Sequence, residues 1–205
     1  VPIDLRKNSG NYDNQSDIVG YWRNTGNSTW KDLSENGNNG TVNGSPVVIM
    51  SPEGKIPGMD SHGMFLSEPN AGIFDGSANR IEVADSNTLD QLAEDFTVEV
   101  WLKSQGPISS HESPLSRYIV SGEPGIYMYI NYTTGYPYIR FNDSVNSEIA
   151  IPISTDIRND NIWHHCVWSF DRSSNCLAYH NGSLSTTTSI SSRNASCDIS
   201  QVLQI

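Results

Sequence analysis

Carboxylates, histidines and cysteines are the side chains whose spacing decides what chemistry a chain of this kind can perform. Two carboxylates placed two apart on a strand share one face and can divide acid and nucleophile roles. Glu94, Asp95 and Glu99 do not have that spacing, and Glu99 has no acidic partner at 97 or 101. His164 and His165 are consecutive, so on a strand they project to opposite faces and cannot hold one ion together. No Gly-X-Ser-X-Gly elbow, phosphate-cradling glycine loop or Cys–His nucleophile pairing is present. Cys166, Cys176 and Cys197 lack zinc spacing. A turn over Asp171–Asn175 places Cys166 nearer Tyr179 or His180 than Cys176, so buried free thiols are expected, with a Cys176–Cys197 bridge left open.

Binding chemistry is better represented. Tyr127, Tyr129 and Asn131 alternate with Ile126, Met128 and Ile130, and Tyr136, Tyr138 and Arg140 alternate with Pro137, Ile139 and Phe141. If the aliphatic sets fill a core, the aromatic and polar sets form a wet face, joined by Trp101. Aromatic rings stack on the apolar faces of sugars, and Arg or Asn hydrogen-bonds their hydroxyls. Trp101, Tyr127, Tyr129, Tyr138 and Arg140 are therefore the candidate carbohydrate-binding residues. The competing reading is that loops cover these aromatics as a second small core.

The elements that would carry these residues read as short strands punctuated by Gly, Asn, Asp, Ser and Pro. Strands are expected at Ile18–Trp22, Pro46–Met50, Arg80–Ala84, Asp95–Lys103, Arg117–Ser121, Gly125–Tyr132, Tyr136–Phe141, Ile149–Ile153, Ile162–Phe170, Cys176–His180, Leu184–Ile190 and Gln201–Ile205. In the clearest, Phe96, Val98, Val100 and Leu102 share one face, and Thr97, Glu99, Trp101 and Lys103 the other. Lys31–Gly44 reads as a polar turn region, Ser51–Asn70 as an irregular excursion and Pro107–Pro114 as a loop. A single helical turn fits only around Thr88–Ala93. Loops this short join antiparallel strands, which predicts an all-β, two-sheet antiparallel β-sandwich with residues 1–17 as an N-terminal arm.

Composition narrows the partners. Twelve Lys and Arg against 23 Asp and Glu give a net charge of −11, which repels phosphate backbones and anionic lipid. Nucleic acid and membrane insertion are not expected. No apolar run reaches the roughly 18 residues that a spanning helix needs. Asn-X-Ser/Thr triplets begin at Asn14, Asn27, Asn39, Asn43, Asn131, Asn142, Asn181 and Asn194 and mark loops.

Three segments in register carry a family resemblance: Trp30 to Thr41, Phe74 to Ala84 followed by Asp95 to Lys103, and Ile162 to Asp171 continuing to Ser183. Together, over residues 18–205, they resemble laminin-G-like domains of the concanavalin A-like lectin/glucanase superfamily, which implies a jelly-roll sandwich. The stretch Ser45–Ile73 is longer than the family's norm, and the family's last C-terminal strands look missing. An exposed unpaired edge at Val202–Ile205 is therefore expected to invite partner strands, so assembly as a homo-oligomer is open. The opening Gly20–Asn24 and the Pro-Glu-Gly insertion resemble variants in marine phage and environmental viral proteins.

The resemblance implies calcium near the Asn/Gly turn, with Asp32, Asn36 and Asp75 as candidate ligands; a turn held by its own hydrogen bonds is the alternative. Glucan hydrolases of this fold resemble one another through a Glu-X-Asp-X-Glu strand, and lyases through Arg-X-Glu-X-Arg with Gln-X-His; the chain has neither. The expectation is a non-catalytic carbohydrate-binding or adhesion module, extracellular or on a cell or virion surface, taking a glycan or partner protein subunits. A structural or decoration protein of a virion is the alternative.

Overall fold

In the computed structural model, residues 18–22, 29–34, 36–44, 47–49, 71–74, 79–90, 92–104, 110–117 and 123–205 are described. Among the described residues, fourteen strands run in chain order: β1 Thr29–Trp30, β2 Gly40–Asn43, β3 Val47–Ile49, β4 Ala71–Ile73, β5 Arg80–Val83, β6 Phe96–Leu102, β7 Glu112–Arg117, β8 Gly125–Ile130, β9 Pro137–Asn142, β10 Ile149–Pro152, β11 His164–Phe170, β12 Asn175–His180, β13 Ser183–Ser189 and β14 Leu203–Gln204. All pairings are antiparallel. An eight-stranded sheet has the order β1-β2-β5-β14-β7-β8-β9-β10, a four-stranded sheet the order β13-β12-β11-β6, and β3 pairs with β4.

Alternation does the work of assembly. Ile126, Met128, Ile130, Ile139, Phe141 and Ile151 from the large sheet meet Leu102, Cys166, Trp168, Phe170, Cys176 and Ala178 from the small one in a single core. Phe96, Val98 and Val100 pack against it, as the period-two pattern requires. Phe96 stacks on Phe170 at 4.3 Å between centroids. Trp168 is fully buried, and its indole N–H donates to the Ile151 carbonyl at 3.1 Å, so its one polar atom ties the two sheets together.

Hairpin chemistry also follows the sequence. Asn181 and Gly182, both at positive φ (48° and 80°), make the tight turn between β12 and β13. Between β8 and β9, the Asn131 carboxamide oxygen accepts the amides of Thr133 and Thr134. Gly135 is required there. Its φ is 74°, and a Cβ would sit 1.7 Å from Asp156 Oδ1.

Several expectations move. Residues 18–22 contribute one isolated bridge, Trp22 to Asp32, rather than a strand, because the carbonyls of Ile18 and Val19 accept Asn side-chain amides instead of a ladder partner. The turn region 31–44 contains β2, whose Gly-Thr-Val-Asn carries little apolar signal. Of the strand expected at 117–121 only Arg117 is described, as the last residue of β7, which starts five residues earlier, inside the expected loop; residues 118–122 lie outside the described residues. Pro114 hides it, and the pairing with β8 shifts register between Glu112 and Leu115, where a missing N–H is tolerated. The helical turn is a 3-10 turn at Asn87–Leu89.

The largest correction concerns the end of the chain. β14 lies inside the large sheet, paired with β5 on one side and β7 on the other. The Ile205 amide donates to the Ile81 carbonyl at 2.9 Å, and Leu203 is buried with Val83 and Leu89. Val202–Ile205 is not an open edge, and assembly through it has no structural basis.

Candidate functional site

In an antiparallel ladder, directly opposed residues share a face. One row of opposed residues crosses the whole large sheet on its outer side: Thr29, Thr41, Glu82, Gln204, Ser116, Tyr127, Arg140 and Ala150. Every member is at least partly exposed, and all but Ala150 can hydrogen-bond through the side chain. Eight strands about 4.8 Å apart make this face roughly 34 Å across.

Tyr129 and Tyr138 oppose each other in the neighbouring row, with Pro152 beyond Tyr138. The rings of Tyr127, Tyr129 and Tyr138 stack in succession, at 5.5 and 5.2 Å between centroids. His111 packs edge-on against Tyr129 at 4.7 Å, and the Arg140 guanidinium lies 5.0 Å over the same ring. Tyr129 is thereby covered, at 3% exposure; it is the spine of the ladder and not a contact surface. Tyr127, Tyr138 and Arg140 remain partly open around it. The expectation of a wet face holds for those three, and the small-second-core alternative describes Tyr129.

Charges on this face are neutralised in place. Arg140 pairs with Glu148 at 3.0 Å. Arg80 pairs with Glu82 at 2.7 Å, and Glu82 also accepts from Asn43 and Gln204. Among the described residues, Glu148 Oε2 is shielded from solvent without a hydrogen-bond partner. Such a face offers hydroxyls, amides and paired ions beside aromatic rings, with little net attraction for a highly charged ligand.

Trp101 is elsewhere. It stands on β6, on the outer face of the small sheet, 44% exposed and stacked on His165 at 4.7 Å. His165 Nε2 is 2.8 Å from Glu99 Oε1, so Glu99 has a cross-strand partner rather than only solvent. The sequence gives no means of separating the two outer faces; alternation says only which residues face outward. The members of the wide row from β1, β2, β5 and β14 went unseen because nothing in the sequence announces which strands become neighbours.

The Asn/Gly turn is a self-contained network. Asp32 Oδ1 accepts the amides of Tyr21 (3.0 Å) and Ser34 (2.9 Å) and the Ser34 hydroxyl (2.6 Å), while Oδ2 accepts the Asn38 amide (3.0 Å). Asn36 donates its side-chain amide to the Ile18 carbonyl at 2.7 Å. Asn38 is buried, bonded to Val19, Ser86 and Thr88, and its carbonyl takes the Trp22 indole N–H at 2.6 Å. Calcium selects free oxygen ligands, whereas N–H and O–H donors surround the Asp32 carboxylate. These residues fit the hydrogen-bonded turn and not a cation site. Asp75 lies outside the described residues, and no metal-holding cluster of three occurs among those described.

All three cysteines are buried free thiols, and burial pushes each up to about 12, far from the reactive range. Cys166 opposes His180, as the turn spacing requires.

Residues 75–204 match the family profile described as the concanavalin A-like lectin/glucanases superfamily, of the third laminin G type. The chain belongs to this superfamily. No curated protein matches it. Among solved structures, it is similar to the binding domain of Paraclostridial Mosquitocidal Protein 1, at 16% identity and TM-score 0.70, over 93% of this chain and 44% of that one. It is likewise similar to the receptor-binding domain of a botulinum neurotoxin C/D mosaic serotype, at 13% identity and TM-score 0.70, over 94% and 43%. A structure of botulinum neurotoxin type C, whose cell entry is described as dependent on two ganglioside molecules, aligns at 15% identity and TM-score 0.62, over 94% and 44%. At these identities the likeness concerns the fold. The chain spans less than half the length of these structures.

Proposed function

We propose that this domain is a non-catalytic binding module whose ligand is a largely uncharged, hydroxyl-rich glycan laid across the outer face of the eight-stranded sheet. The observation that carries the reading is the row from Thr29 to Ala150, polar and accessible along nearly its whole length, with Tyr127, Tyr138 and Arg140 at its aromatic end. Tyr127 and Tyr138 would stack on sugar faces, held upright by Tyr129 behind them. Arg140 would donate to hydroxyls. The solved structures that share the fold include ganglioside- and receptor-binding domains, which lends support without placing their ligands in the matched part. An extracellular or surface setting accords with such a role. The virion-display reading has lost the open C-terminal strand on which it leaned.

A glycan array probed with the purified domain tests this directly. Neutral oligosaccharides should be retained, and Tyr138→Ala or Arg140→Ala should weaken retention at least fivefold, as loss of about 1 kcal/mol requires. Retention that both variants leave untouched, or no retained glycan at all, would remove the proposal.

A further inference from the structure

The described histidines, His111, His164, His165 and His180, all stand at one end of the sandwich, where β6, β8, β10 and β12 finish and β7, β9, β11 and β13 begin. Two of them are in series with a carboxylate. His164, 5% exposed, has Nε2 2.8 Å from Asp160 Oδ2 and Nδ1 2.8 Å from His180 Nε2. The two imidazoles stack at 5.1 Å. Asp160 is presented by a tight turn: Asn159 and Asn161, on either side of it, have φ of 55° and 58°, and its Oδ1 accepts the Ile162 amide at 3.0 Å.

From this geometry we propose that His164 and His180 form an acid-released latch between the start of β11, which carries the Asp160 turn with it, and the β12–β13 hairpin. A carboxylate only accepts, so His164 Nε2 carries the proton toward Asp160. The link to His180 then needs one N–H and one lone pair between two imidazole nitrogens. A neutral pair satisfies this, and so does a pair holding one extra proton. A pair in which both rings are cations does not, because two N–H groups then face each other at close range in a half-buried site. Double protonation therefore breaks the link.

The charges that bear on His180 come from three directions: His164 beside it, Asp160 from the loop and His165 from the outer face of β11, with Glu99 of β6 behind that ring. Burial holds His180 below the ordinary imidazole range, helped by His164 and His165 and opposed by Asp160. The second proton therefore binds on the acid side of neutrality. The other anchors of residues 153–163 do not titrate there. Ser154 N–H donates to Ser185 Oγ, Ile157 N–H to the Gly135 carbonyl, and Arg158 to the Tyr132 and Thr133 carbonyls. Acid thus parts the start of β11, with Asp160 still paired to His164, from the β12–β13 hairpin, while the Arg158 half stays docked.

Hydrogen–deuterium exchange of the whole chain at pH 7.5 and 5.5, corrected for intrinsic exchange chemistry, reads the latch. Amides around 159–165 should open at least fivefold more readily at pH 5.5. His180→Gln, whose amide can still donate to His164 but cannot charge, should show protection independent of pH. Equal protection of the native segment at both pH values, or the same pH response in His180→Gln, would overturn the proposal. If His180→Gln does not fold, imidazole NMR of the native protein decides. Coupled titration of His164 and His180, with one step below the ordinary range, supports the latch; two independent ordinary titrations refute it.

Discussion

The two ends of the sandwich are closed by cations of different kinds. At the end where β6 starts and β11 finishes, two buried guanidiniums hold the returning chain. Arg117, 2% exposed, donates to the carbonyls of Leu89 and Ile199 and meets Asp85 and Asp90 at 2.7 and 2.5 Å. Arg172, 4% exposed, donates to the carbonyls of Leu92, Arg193 and Ala195 and lies over the Phe141 ring. Beside them the buried Asp143 carboxylate takes the amides of Val145, Asn146 and Ala195. Burial alone would raise Asp143, but the Asn146 bonds, then those of Val145 and Ala195, hold it below its ordinary value. The opposite end uses imidazoles, and its Arg158 is solvent-facing, paired with Asp156 at 2.6 Å. A guanidinium stays charged at any physiological pH, so it can be buried once its donors are satisfied, and it seals permanently. An imidazole seals conditionally.

The largest effect should come from breaking the permanent seal. Arg172→Ala strands the buried Leu92 carbonyl and takes the donor from the half-buried carbonyls of Arg193 and Ala195, at about 3–5 kcal/mol in total. For a domain of this size that is a fall in Tm of roughly 10 °C. Arg158→Ala also frees two carbonyls, those of Tyr132 and Thr133, but water can replace the lost donors. Its Tm change should be several times smaller by the same calorimetric measurement. Equal losses would mean that burial does not distinguish the ends.

Next in size is the Asn/Gly turn, which adjoins the sealed end through Asn38, Ser86 and Thr88. Asp32→Ala removes the acceptor of three backbone amides and one hydroxyl, a loss of about 2 kcal/mol. Because the carboxylate already faces those donors, the loss should be the same in EDTA and in millimolar calcium. A native Tm that rises with calcium and an Asp32→Ala Tm that does not would show that the turn holds the ion after all.

Much of this was legible in the sequence, and the limit is physical. Alternation in Phe96–Leu102 and Gly125–Phe141 reports which residues face inward, and the Asn181-Gly182 and Asn131–Gly135 turns report which strands are consecutive neighbours. Hence the core, the free thiols and the register of Cys166 to within one residue, Tyr179 or His180, could be read. Non-consecutive pairing leaves no local trace. Nothing near Gln204 announces that β14 enters between β5 and β7, nothing near Tyr127 says that Trp101 belongs to the other sheet, and nothing around Arg117 or Arg172 announces their burial. His180 was the nearer miss. It or Tyr179 was expected beside Cys166, and His164 lies two residues further along the same face of β11, within diagonal reach.

A smaller effect should appear in the pH dependence of stability. A histidine held below its ordinary value binds fewer protons when folded than when unfolded, so stability rises with pH across that interval. The contribution of His180 is complete above the ordinary imidazole value near 6.5 and is lost as pH falls through its lower folded value. Native Tm should therefore decline more steeply than that of His180→Gln between pH 7 and pH 5. Mutations at the arginine end should shift the whole curve without changing this slope.

The smallest expected effect is the one that separates the two outer faces. Trp101 is the most exposed of the aromatic residues first grouped as sugar contacts, and an exposed indole invites the assumption that it binds. Yet it is fixed on the small sheet by His165, itself held by Glu99, with both layers of the sandwich between it and Tyr138. No single sugar chain lying flat on the large sheet can touch both. Trp101→Ala should therefore leave glycan retention within twofold of native, in the same array where Tyr138→Ala loses at least fivefold. A loss at Trp101 equal to that at Tyr138 would move the ligand off the sheet face and onto an edge reached from both sides.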